Sequence, residues 1–235
     1  SFEMNSSAWA AIAAARTARQ AHRADVFGVK IDNIAIDGAA VMARLRAERD
    51  RFARLTREGF EDFPSGTMVM ARAKFLSPDT LELDDGRTIK AKAIVIATGG
   101  KPAIPESFTD LGDLCLTHET VFELTDLPKS IAVVGAGPIG LELAQAYARL
   151  GVKTCLFDDT DSVGGVEDDA IQQAIQTAIS AELDLHLGVK TAGTLHGSGV
   201  KVTWTGSTEG SDIFDRVLIA AGRPPRLKNL GLEKA

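Results

Sequence analysis

Three glycines in the run Gly135-Ala136-Gly137-Pro138-Ile139-Gly140 are spaced to bring the start of a helix against an anion. Gly135 permits a tight strand-to-helix turn, Gly137 keeps a side chain out of the way of a phosphate, and Gly140 lets the helix pack close to the preceding strand. The helix start offers unpaired N–H groups and the positive end of its dipole. Pro138, at the first helical position, removes a donor that the helix cannot use internally. Asp158 closes the next apolar run. A carboxylate there accepts hydrogen bonds from ribose hydroxyls and repels a 2′-phosphate. Asp159 and Asp161 add to that repulsion, and no Lys or Arg follows nearby. The pattern implies a bound dinucleotide, NAD rather than NADP, held by Gly135, Gly137, Pro138, Ile139, Gly140 and Asp158.

Three fixed glycines are weak evidence alone, since a chain of this length shows such a pattern by chance roughly a tenth of the time. The flanking elements strengthen it. Ser130–Val134 reads as a short buried strand and Pro138–Leu150 as an amphipathic helix stopped by Gly151. Lys153–Phe157 reads as a second strand, so the glycines sit in a βαβ unit. The same turn could hold FAD instead, or simply join strand to helix with no ligand.

The elements around this unit follow from periodicity. Trp9–Arg23 is Ala/Arg-rich without Gly or Pro and is predicted helical. Ser1–Ser7 is polar, poorly patterned and left out of the fold. A second helix is predicted over Ala39–Glu58, capped by Asp37, with Val41, Leu45, Phe52 and Leu55 as its apolar stripe. Its arginines (44, 46, 49, 51, 54 and 57) read as a solvated face, with phosphate binding the lesser reading. After Pro64-Ser65-Gly66 a small antiparallel meander is predicted from Thr67–Phe75, Thr80–Leu83 and Thr88–Ala97 around the turn Asp84-Asp85-Gly86. Its last strand should be buried at Ala93-Ile94-Val95-Ile96-Ala97 and end at Thr98-Gly99-Gly100. A Pro-punctuated connector follows, with one short helix at His118–Leu124. Further on, a helix is predicted at Glu167–Ala181, and strands at Leu183–Leu187, Val189–Leu195, Val200–Thr205 and Phe214–Ala221.

Composition excludes several classes. With 235 residues, 45% hydrophobic and 25% charged, the chain has the make-up of a globular protein of one or two domains. A net charge of −6 leaves no basic footprint for nucleic acid. No apolar run reaches the length of a membrane span, and no signal-peptide pattern opens the chain, so no membrane partner and a cytoplasmic location are expected. Cys115 and Cys155 form no disulfide framework and have no basic neighbour to activate a thiol. No catalytic or metal-ligating set emerges. His22, His118, His186 and His196 read as surface or incidental positions.

Three segments in fixed order carry a family resemblance: Ile94–Pro102 with Thr98-Gly99-Gly100, the βαβ unit Val133–Asp158 including Gly140-Leu141-Glu142-Leu143, and Val217–Pro225 with Gly222. Together they resemble the class I pyridine-nucleotide-disulfide oxidoreductases, most closely dihydrolipoamide dehydrogenase. The resemblance runs from about Ala11 to Leu232, and Phe27-Gly28 and Arg46–Phe52 fit the family's helical hairpin. It implies hydride transfer between NAD(H) and FAD, coupled to a dithiol/disulfide pair. Gly135, Gly137, Gly140, Glu142, Asp158 and Gly222 would line the NAD site, and Thr98, Gly99 and Gly100 would approach FAD. Glu142, on the first turn of its helix, could instead merely favour the dipole.

The expected fold is α/β: a Rossmann-like three-layer NAD-binding domain at 127–221, a partial FAD-binding portion of helices and β-meander at 1–126, and a return segment at 222–235. The family's first flavin fingerprint, redox cysteine pair, catalytic His–Glu pair and dimerisation domain have no counterpart here. The chain is therefore expected to be a fragment, inactive alone, of a homodimeric parent. Loss of the first βαβ unit should expose apolar surface. A mercuric-reductase-like enzyme and a non-catalytic NAD-binding module remain alternatives.

Overall fold

The computed structural model describes residues 2–235, with side chains from Ser7 onward. Helices α1 (Phe2–His22) and α2 (Gly38–Glu61) come first, then strands β1 (Ala73–Ser77), β2 (Thr80–Leu83), β3 (Thr88–Lys90) and β4 (Cys115–Thr117). The βαβ unit follows as β5 (Ser130–Val134), α3 (Pro138–Arg149) and β6 (Lys153–Phe157). Next come α4 (Asp169–Ser180), β7 (Asp184–His186), β8 (Val189–His196), β9 (Gly199–Gly206), β10 (Gly210–Phe214) and β11 (Arg216–Ile219). Among the described residues, no helix is long and apolar enough to cross a membrane.

The chain divides into two compact units. The larger takes the chain up to Ala53 together with Pro102–Gly222; the smaller takes Arg54–Lys101 and Arg223–Ala235. The larger unit has three layers around a parallel sheet of order β4-β11-β5-β6-β7. Side chains alternate across it, as the pleat demands. Ile131, Val133, Leu156 and Leu218 face a helical layer with Leu143, Ala144 and Tyr147 of α3. Ala132, Val134, Phe157, Val217 and Ile219 face the antiparallel sheet β10-β9-β8 through Val200, Val202 and Phe214. Both faces are covered, so the strands read as continuous apolar runs.

α1 belongs to this larger unit because of its alanines. Ala15 and Ala18 lie against Ala146 of α3 and Leu150 at its C-terminal cap, and small side chains let the two helices approach closely. The helix extends back to Phe2, beyond the predicted start at Trp9; Ser1 lies outside the described residues. A polar clamp reinforces the packing. Glu182, its side chain only 9% exposed, accepts from Arg149 Nε at 2.7 Å and Nη2 at 2.9 Å, with Arg19 Nη2 at 3.4 Å. The Arg149 guanidinium hydrogen-bonded to Glu182 holds its carboxyl below the usual carboxylate range. A lowered carboxyl pKa contributes stability above the unfolded-state value and loses it as pH falls through the folded-state value. Glu182→Gln should therefore cost about 2 kcal/mol near pH 7, short of the full cost of breaking a completely buried pair. Urea denaturation should show that gap closing as the medium is acidified through the carboxylate range.

In α2, Asp37 caps the helix as predicted, accepting from the Ala40 N–H at 2.9 Å. Met42 and Leu45 are buried, whereas Phe52 and Leu55 of the predicted stripe are each 44% exposed. The helix arginines mostly meet neighbouring carboxylates: Arg49 with Asp50 and Glu123, Arg51 with Glu48, Arg54 with Glu58.

The smaller unit holds the antiparallel meander β1-β2-β3, closed at Asp84-Asp85-Gly86, with Gly86 at φ +86. The C-terminal tail braces it: the Phe75 N–H donates to the Leu230 carbonyl at 2.7 Å. The predicted buried strand at Ala93–Ala97 does not form. Val95 is 88% exposed and Ile96 43%. Among the described residues no strand pairs with this run, and an apolar strand needs partners for its backbone and a cover for its face. Apolar side chains of this run therefore lie exposed.

Other departures are short edge elements. β4 lies in the predicted loop connector. β10 precedes the predicted start at Phe214 and pairs with β9 from Gly210 to Phe214. The expected helix at His118–Leu124 shrinks to a single 3-10 turn, Val121–Glu123. His118 is 3% exposed, not on the surface, and His186 stacks on Phe157 with ring centroids 5.0 Å apart.

Candidate functional site

The order of strands fixes where a ligand can sit. β5 lies between β6 and β11; from it the chain winds to β6 and β7 on one side and later crosses to β11 on the other, where β11 pairs with the earlier β4. The carboxyl end of β5 is therefore the point at which the winding reverses, where open α/β sheets bind ligands. The glycine run begins there.

Each glycine of that run meets a different surrounding. Gly135 has φ +111, and a Cβ on it would lie 2.5 Å from the Ala220 carbonyl oxygen. A Cβ on Gly140 would lie 1.8 Å from the Gly135 carbonyl oxygen. Both positions are closed by backbone, so strand, turn and helix meet as tightly as only glycine allows. Around Gly137 a Cβ would find nothing within 4 Å, and its own backbone is extended at φ −67, ψ 178. Its lack of a side chain is thus not required by the fold. It leaves open space at the start of α3. Pro138 is the first helical residue and is exposed; Ile139 packs partly against the helical-layer core. α-Helical geometry leaves the N–H groups of Ile139 and Gly140 without intrahelical partners.

Asp158, half-buried beyond β6, turns toward this run. Its Oδ2 accepts from the Ala136 N–H at 2.5 Å; its Oδ1 accepts from the Thr160 N–H at 2.8 Å and hydroxyl at 2.7 Å. A carboxylate has about four lone-pair sites. Three are used to fix its orientation, and the carboxylate makes no ion pair among the described residues. Its backbone is also held: its N–H donates to the His186 carbonyl at 2.9 Å. The carboxylate thus lies beside the open Gly137 position on a pre-set rotamer.

The structure brings Gly135, Gly137, Pro138, Ile139, Gly140 and Asp158 together. Glu142 lies in the second turn of α3, not the first, and is exposed. Dipole effects fade within the first turn, so that explanation for Glu142 weakens. Gly222, φ +130, follows β11 and its carbonyl accepts from the Ala103 N–H at 3.1 Å. Thr98, Gly99 and Gly100 belong to the smaller unit. There the Thr98 hydroxyl donates to the Arg226 carbonyl at 2.6 Å, Gly99 adopts φ +71 with open space around it, and Gly100 pairs with Pro225. Thr160 and Gly164 went unread in the sequence. The signal was the Gly164-Gly165 pair, both at positive φ after Asp158.

Neither thiol is activated. Cys155 is 4% exposed, and burial, with Asp184 nearby, pushes its thiol up to about 12; burial also raises Cys115. Among the described residues no His/Cys/Asp/Glu group could hold a metal ion.

Comparison with known proteins identifies the family. The family described as pyridine nucleotide-disulphide oxidoreductase matches residues 7–235. A mitochondrial dihydrolipoyl dehydrogenase from Pisum sativum is 30% identical over 219 residues, covering 88% of this chain and 43% of the relative. A mercuric reductase from Staphylococcus aureus is 28% identical, covering 84% of this chain and 37% of its own. The chain thus spans less than half the length of these relatives. Among solved structures, LpdA from Mycobacterium tuberculosis superposes with a TM-score of 0.79 at 23% identity, covering 97% of this chain and 51% of that one. The flavoprotein disulfide reductase RclA from Escherichia coli gives 0.76 at 21% identity, covering 97% and 49%. With the family match running nearly end to end, the chain belongs to the pyridine nucleotide-disulphide oxidoreductase family.

Proposed function

We propose that this chain is the NAD-binding portion of a flavin-dependent disulfide oxidoreductase resembling dihydrolipoamide dehydrogenase. The observation that carries the reading is the pairing of an open Gly137 at the start of α3 with a pre-oriented Asp158 carboxylate beside it. The diphosphate would lie over Gly137 and accept from the free amides of Ile139 and Gly140, favoured by the helix dipole. The adenosine ribose would meet the remaining acceptor site of Asp158. A 2′-phosphate would meet the negative charges of Asp158, Asp159 and Asp161, which favours NAD over NADP. Bound nicotinamide supplies hydride transfer to or from a flavin. The chain's own residues hold and orient the dinucleotide and keep its phosphates at the helix end.

The open backbone at Gly99 fits an approach to FAD in the intact protein, with Thr98 locked in place by the Arg226 carbonyl. Cys115 and Cys155, with thiol pKa values raised by burial, are poor candidates for a dithiol pair. On this reading the chain binds dinucleotide but completes no catalytic cycle by itself. Calorimetric titration with NADH and NADPH tests it. NADH should bind at least about tenfold tighter, a difference of about 1.4 kcal/mol. Equal affinities, or no binding of either, would overturn the assignment.

A further inference from the structure

We infer that Gln172 is a positioning residue of the dinucleotide site, acting through the loop that follows Asp158; this rests on the nucleotide reading above. Ala136, in the middle of the glycine turn, is held through both of its backbone polar groups. Its N–H donates to Asp158 Oδ2 at 2.5 Å, and its carbonyl accepts from the Gly164 N–H at 2.7 Å. The chain from Asp158 to Gly164 therefore clasps the turn that would carry the diphosphate.

That clasp is shaped from α4. Gln172 Oε1 accepts from the Val163 N–H at 2.9 Å, while its Nε2 donates to Ser162 Oγ at 2.9 Å and to the Val166 carbonyl at 2.6 Å. One side-chain amide uses its acceptor and both donors on a five-residue loop segment, which leaves the segment little freedom to shift. The base of the amide is fixed as well, because Asp168 caps α4 by accepting from the Ile171 N–H at 3.0 Å. Val163 is fully buried, and Gly164 takes φ +69 where a side chain would press on Leu141 Cδ1 at 3.3 Å. Loss of the Gln172 amide frees Gly164 from Ala136. Asp158 then keeps its charge but loses its fixed register with the turn, so ribose grip and 2′-phosphate rejection decline together.

The test compares Gln172→Leu, Gln172→Glu and the exposed neighbour Gln173→Leu in the full chain. The readouts are NADH and NADPH affinities, and hydrogen exchange of the Gly164 amide without nucleotide. In Gln172→Leu, NADH affinity should fall about tenfold, the NADH:NADPH preference should shrink at least about threefold, and Gly164 should exchange about tenfold faster. Gln172→Glu keeps the acceptor for Val163 and loses both donors, so it should fall between that variant and the wild type. Gln173→Leu should match the wild type.

A purely structural role would lower both affinities alike and leave the preference unchanged, which overturns the inference; so does unchanged Gly164 exchange. If Gln172→Leu fails to fold, Gln172→Glu gives the same comparison. Failure of the nucleotide reading looks different: the wild-type chain then binds neither nucleotide, which overturns both.

Discussion

Gly137→Val should leave the fold intact and reduce NADH affinity by more than about 100-fold, a loss of about 2.7 kcal/mol. Gly140→Ala, a smaller change on paper, should instead destabilise the protein. The contrast comes from what each Cβ would meet. At Gly137 a Cβ finds nothing within 4 Å, and φ −67 is open to any residue. A valine there stands in open space where the diphosphate would lie. At Gly140 a Cβ would sit 1.8 Å from the Gly135 carbonyl oxygen, which is backbone and cannot rotate away. Helix α3 must then lift off β5, at a cost of about 3 kcal/mol or more. Thermal denaturation and NADH titration of the two variants separate the effects. A Gly137→Val protein that binds NADH normally contradicts the diphosphate placement.

The second large effect is expected at Asp158. In Asp158→Ala, NADH affinity should drop about 50-fold while NADPH affinity drops far less, so the preference for NADH largely disappears. The carboxylate has two tasks. It is the acceptor offered to the ribose, and it fixes the Ala136 N–H and Thr160 within its own network. Its removal also strands a partly buried N–H, adding roughly 1–2 kcal/mol of destabilisation. Asp158→Asn would not be conservative: one side of its amide donates, and it would face either the Ala136 or the Thr160 N–H donor. Retention of full discrimination in Asp158→Ala would place the nucleotide preference elsewhere.

The βαβ unit was legible because its signals are local and agree. β5 and β6 run over the predicted residues, and α3 starts at the predicted Pro138. An apolar run, a glycine turn and a proline at the first helical position each constrain only their neighbours in sequence. Elements set by distant partners were harder to read. β10 includes Gly210, Ser211 and Asp212, residue types that local preference does not place in a strand, yet it pairs along β9 and buries only Phe214. Ala93–Ala97 has the composition of a buried strand and lacks a pairing strand among the described residues. Within the site, the glycines and Asp158 were visible in the sequence. The clasp was not, because it depends on residues 136 and 164 meeting in space and on the rotamer of Gln172. Glu142 lies in the second turn of α3, because the helix already starts at Pro138.

The diphosphate placement is tested most directly by following backbone amide resonances of the chain as NADH is added. The expected result is saturable shifts largest at Gly137, Ile139, Gly140 and Thr160, with Gly135 and Ala136 following. Saturable NADH binding that leaves those amides unmoved would contradict the site.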